Sequence, residues 1–124
     1  MSPRQHGAAY RRAIDRWPGT EVDAWCRLWL AGAYQYRGRF EQALDEAKQA
    51  SEVFAGTTEG PNADHTIGLI YLQSLHGPAR AAPRFHNVRA GAAGMTDPQE
   101  RVKWEAAAAQ GLARCEAEGK GKGK

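Results

Sequence analysis

Apolar residues recur along this chain at helical spacing, and the period-two alternation of a strand is absent. Ala9, Tyr10, Ala13 and Ile14 describe a helix over about 4–16 that stops at Trp17-Pro18-Gly19. Thr20 and Asp23 have the spacing of a capping box, which opens a second helix running to Gly38. A third helix spans about 39–54, and Ala55-Gly-Thr-Thr-Glu-Gly-Pro-Asn62 reads as a loop. Asn62 or Asp64 then caps a fourth helix through Leu75, ended by Gly77-Pro78, and Pro83 interrupts the helix that follows about a turn after its start. Thr96-x-x-Gln99, with Pro98 in the first turn, announces a last helix over about 97–118. The expected class is all-α, with five or six helices.

The second and fourth helices decide the architecture. Between Ala24 and Tyr36 only Arg27 and Gln35 are strongly polar, and between Ile67 and Leu75 only Gln73 and Ser74 are. Helices apolar over most of their circumference need neighbours on both sides. In the second helix, Leu30, Ala33 and Tyr34 form one stripe, while Trp25, Leu28, Trp29, Gly32 and Tyr36 form another. Ala43, Ala47 and Ala50 follow Gly38 and Phe40 at i, i+4 and i+7, a smooth face that lets the third helix fold back closely on the second. One stripe closes this antiparallel hairpin, and the other is left for an adjacent hairpin or a bound partner.

Length and composition narrow the setting. A chain of 124 residues, 42% hydrophobic and 25% charged, fits one globular domain, taken here as residues 1–118. Gly119-Lys-Gly-Lys-Gly-Lys124 has no core-forming side chain, so 119–124 is expected to be disordered. No apolar run approaches the roughly 20 residues of a membrane span, and the N-terminus lacks a secretory segment. A soluble intracellular protein, cytoplasmic or mitochondrial, is expected. The net charge of +3 is banded: seven arginines against three acids over 1–39, one lysine against six acids over 40–66, three arginines and no acid over 67–95. Basic bands can steer an acidic partner. The aromatic-basic interleaving of an RNA platform is missing, so nucleic acid is not the expected partner.

Candidate chemistry adds little. His6, His65, His76 and His86 never fall at i, i+3 or i, i+4, and no Cys/His arrangement has zinc spacing, so neither a metal nor a cofactor is expected. Cys26 and Cys115 lie far apart in helical patterns and read as buried free thiols rather than a disulfide or an activated nucleophile. Asp45 and Glu46 read as a solvated charged face. The expectation is a protein without catalytic activity; the contrasting alternative is a small enzyme whose site forms only in three dimensions.

Residues 24–54 resemble a tetratricopeptide repeat (TPR) at its small and aromatic signature positions, Leu30, Ala31, Tyr34, Gly38, Phe40, Ala43 and Ala50. The unit covers about 24–56. A degenerate second unit over about 64–92 carries Leu69, Ile70, Gly77 and Ala82 at corresponding spacings, with Gln73 at the aromatic position, and 97–118 would close the array. The resemblance implies hairpins stacked as a short solenoid that binds a peptide, a helix or a larger complex, with Trp25, Arg27, Leu28, Gly32, Gln35 and Tyr36 lining the binding surface. Leu28 and Gly32 stand where the repeats that clamp acidic chaperone tails carry Lys and Asn. Ala9-Tyr10-Arg11-Arg12 also resembles the LYR-motif family of three-helix mitochondrial proteins, with Ala9 at the family's leucine. That resemblance implies an accessory or assembly subunit of a respiratory complex, holding an acyl carrier protein through a basic face that includes Arg11, Arg12 and Arg16.

Overall fold

The computed structural model describes residues 3–73 and 77–122, and these form six helices with no strand among them. They are α1 (Pro3–Arg16), α2 (Glu21–Tyr36), α3 (Phe40–Phe54), α4 (Gly60–Gln73), α5 (Gly77–Ala93) and α6 (Pro98–Lys122). The chain divides into two compact units, residues 1–55 and 56–124, where the sequence suggested one domain. The helices pack within these units: α2 lies against α1 and α3 in the first, and α4, α5 and α6 meet pairwise in the second. Each of the two helices that are apolar nearly all round thus has the two neighbours its pattern demanded.

In the first unit the α2–α3 hairpin forms as expected. The Thr20 side chain accepts a hydrogen bond from the Asp23 N–H, and the Asp23 carboxylate reaches back to the Gly19 N–H at 2.6 Å, one residue before the N-cap nitrogen of the usual reciprocal box. At the other end Gly38 adopts φ +75°, and the Arg39 N–H donates to the Tyr34 carbonyl at 2.8 Å. A residue with a Cβ would be strained there, so glycine makes the reversal. Trp25 meets Phe54 with ring centroids 5.4 Å apart, and Arg27 meets Glu46 farther back along α3, which makes the pair antiparallel. Ala43, Ala47 and Ala50 are fully buried. The stripe assignment differs from expectation, because Leu30 and Tyr34 join Cys26 in a cluster with Tyr10, Ala13 and Ile14 of α1. Ala24, Leu28 and Ala31, roughly 100° around the helix, lie buried on the side from which Arg27 reaches α3.

Unit 2 is built around one ring. Phe85 of α5 is fully buried, and glycines of both neighbouring helices make room for it. A Cβ at Gly68 of α4 would stand 2.8 Å from the ring, and one at Gly111 of α6 would stand closer still. His65 lies edge-on to Phe85 and Trp104, with centroids 5.9 and 5.7 Å away. Burial pulls the His65 pKa below its ordinary 6.5. Its proton therefore binds the unfolded chain more readily than the folded one, so stability is highest above about pH 6.5 and is lost below it, as pH falls through the lower pKa of the folded state. Thermal unfolding followed from neutral to mildly acidic pH should show this decline in unit 2, and His65→Phe should flatten it.

Four expectations need correction here. Pro83 does not break α5, which runs unbroken from Gly77 to Ala93. Ala79, whose carbonyl loses its partner to the proline ring, and Pro83 both lie on the solvent side, while Ala81, Phe85, Val88 and Ala92 hold the opposite face against neighbours. The fourth helix starts at Gly60 rather than beyond Asn62, with Pro61 in its first turn, where a missing N–H costs nothing. The last helix is capped by Asp97, whose carboxylate accepts from the Gln99 N–H at 2.9 Å, and not by Thr96. It also continues past 118 through Gly119 to Lys122, since a helix glycine costs only about 1 kcal/mol and nothing stops the turn. Leu75 and His76, like residues 123 and 124, lie outside the described residues.

Candidate protein-docking face

Helix α2 has three faces, and two are used inside unit 1. The third carries Val22, Trp25, Trp29, Gly32 and Tyr36, spaced three, four, three and four residues apart, the interval of a coiled-coil seam. It stays open: Val22 is 43%, Trp29 55% and Tyr36 92% exposed, and a Cβ on Gly32 would meet nothing within 4 Å. Trp25 is half-buried by its contact with Phe54, and Trp29 rests on Tyr10 of α1 with centroids 5.3 Å apart. Glu21, Val22, Trp25, Cys26 and Trp29 line an open groove of about 500 Å³ at the N-terminal end of this face. A second groove, about 380 Å³ between α5 and α6, is walled mainly by Pro78, Ala79, Ala82, Leu112 and Cys115, and offers no aromatic anchor.

The residues picked from the sequence divide accordingly. Trp25, Gly32 and Tyr36 belong to the open face, and Gln35 is half-buried near its edge. Leu28 is 7% exposed and points into the unit. Arg27 is likewise turned inward, where its guanidinium pairs with Asp23 on its own helix and with Glu46 of α3 at 3.3 Å. Glu46, read from the sequence as solvated, is 4% exposed, and of the two acids only Asp45 faces water. Arg11 of α1 also reaches Glu46, at 3.1 Å, so a cation from each of the other two helices of the unit serves one buried carboxylate. Glu46 Oε2 is left without a hydrogen-bond partner. The proposed basic face of α1 is thereby split: Arg11 is committed to Glu46, Arg16 lies over the Trp17 ring at 5.0 Å, and Arg12 is exposed.

Val22 and Trp29 were the members missed as site residues. Writing the second helix at a three-four interval from Val22 finds both, because that interval follows one face of a helix. Chemistry elsewhere is sparse. Among the described residues no three His, Cys, Asp or Glu side chains gather as a metal ion would need, and no helix is long and apolar enough to cross a membrane. Cys26 and Cys115 are buried free thiols, and burial pushes both thiol pKa values up, which keeps the reactive thiolate scarce. Compared with the profiles of known protein families, with curated proteins and with solved structures, the chain matches none.

Proposed function

We propose that this chain is a non-catalytic interaction protein that holds a protein partner on the open face of α2, with the α2–α3 pair acting as a TPR-like hairpin. The observation that carries this reading is the exposed seam of Val22, Trp25, Trp29 and Tyr36. Large aromatics left in water cost solvation free energy that a partner can recover, and Trp and Tyr are the side chains that most often anchor protein interfaces. Trp29 is also pre-positioned by Tyr10, so little rotamer entropy remains to be lost on binding. The expected test result is that Trp29→Ala/Tyr36→Ala keeps the helical circular dichroism of the parent but fails to retain proteins that the parent retains from its native source. Retention of the same proteins by the variant would remove the face from the interface.

A second reading, an accessory subunit of the LYR type, draws on the three-helix make-up of unit 1. Its acidic partner, an acyl carrier protein, would meet Arg12, Arg16, Arg37 and Arg39, because Arg11 and Arg27 are engaged with buried carboxylates. A co-purifying protein bearing phosphopantetheine, found by mass spectrometry, would favour it over the TPR-like reading.

A further inference from the structure

Resting on the reading of α2 as a docking face, we infer that the occupant is a second copy of this chain, whose own α2 lies antiparallel across the seam. Steric fit supports this first. The seam alternates bulk with one gap: Trp25, Trp29 and Tyr36 are large, while Gly32 is exposed with open space above it. A two-fold axis midway between Leu30 and Ala31 sets Trp29 opposite Gly32 of the second copy and Trp25 opposite Tyr36 of the second copy. The largest side chain of each copy then fills the slot of the other, the knob-and-hole relation of a paired helix, and the interface closes on itself as a dimer.

Charge selects the same direction. The N-terminal end of α2 carries exposed Glu21 beside Val22, and the chain just past its C-terminal end carries exposed Arg37 and Arg39. Antiparallel pairing brings each Glu21 toward the arginines of the other copy and sets the two helix dipoles in opposite directions, each N-terminus beside the other's C-terminus. Parallel pairing would put four arginines together at one end and would set Trp29 against Trp29.

The test is the mass of the full-length chain in solution by sedimentation equilibrium over a range of concentrations. The expected result is a concentration-dependent species of twice 13.6 kDa. Trp29→Ala should weaken self-association by at least about 30-fold, the loss typical of one central aromatic anchor. Gly32→Trp should weaken it comparably by filling the slot, while the monomer keeps its helical circular dichroism because that position is open. An unspecific sticky face would instead bind its copy more tightly with a tryptophan added. A monomer at every concentration overturns the proposal, and so does a dimer that Gly32→Trp leaves intact or tightens. A monomer whose hold on a different protein is abolished by Trp29→Ala/Tyr36→Ala overturns self-pairing but leaves the docking role of the face in place. A monomer that retains other proteins regardless of those substitutions removes both.

Discussion

Phe85→Ala is expected to lower the stability of unit 2 by about 3–5 kcal/mol, the cost of deleting a fully buried ring whose cavity cannot close. The ring is the side chain on which α4 and α6 converge, through Gly68 and Gly111, so its removal leaves a void facing two helices at once. The converse substitution is informative as well. Glycine to alanine within an open helix usually stabilises by up to about 1 kcal/mol. At Gly111 the sign should reverse, because the new methyl group would overlap the Phe85 ring, and overpacking costs about 1–3 kcal/mol. Gly111→Ala combined with Phe85→Leu should therefore cost less than the two changes added separately. Hydrogen exchange with urea titration checks this, with lost protection expected in amides of 56–122 and little change in those of α2 and α3. A loss spread evenly over both units would show that the ring does not act locally.

Arg27→Ala carries the largest expected effect in unit 1. Its guanidinium, with only a small part of its side chain in water, neutralises Asp23 and Glu46, both nearly fully buried. Breaking a buried pair by removing one partner typically costs about 3–5 kcal/mol, since the remaining charge has no water to return to. About 3 kcal/mol is expected here, because Arg11 still reaches Glu46. Glu46→Ala should cost less, since it takes away an oxygen that had no partner together with the charge. Replacing Arg27 and Glu46 together by methionine should recover only the part of the loss due to Glu46, because Asp23 stays buried without its cation. Urea midpoints for the four proteins give this ranking directly. A single Arg27→Ala change below about 1 kcal/mol would mean that the cluster is solvated.

The hairpin was legible because Gly38, Phe40 and the alanines at 43, 47 and 50 leave one smooth face and one reversal. The same spacing already held Glu46, three residues after Ala43 and four before Ala50, yet its charge argued for solvent. What overrides that argument is Arg27 one helix away, a pairing in three dimensions that residue type alone does not announce. The banded charge has the same origin: the acids of 40–66 include Glu46 and Asp64, which accept Arg11, Arg27 and Arg84 from flanking bands. Prolines misled for a different reason. Pro61 and Pro78 stand in the first turn of α4 and α5, where they start helices as Pro98 was read to do in α6, and Gly60-Pro61 looks the same in sequence as a loop. Pro83 survives inside a helix only because its solvent side faces water, a property of packing. On the open face of α2, Trp25 and Tyr36 were legible as a stripe, but which of three faces of α2 stays open depends on where α1 and α3 lie.

Hydroxyl-radical labelling of the full-length chain, read residue by residue as concentration rises, tests the role of that face most directly. Trp29 and Tyr36 should be labelled readily in dilute protein and lose reactivity together as the complex forms, while exposed Trp17, off the seam, keeps its own. Unchanged labelling of Trp29 and Tyr36 in a complex that has formed, or protection at Trp17 in their place, would contradict a docking role for α2.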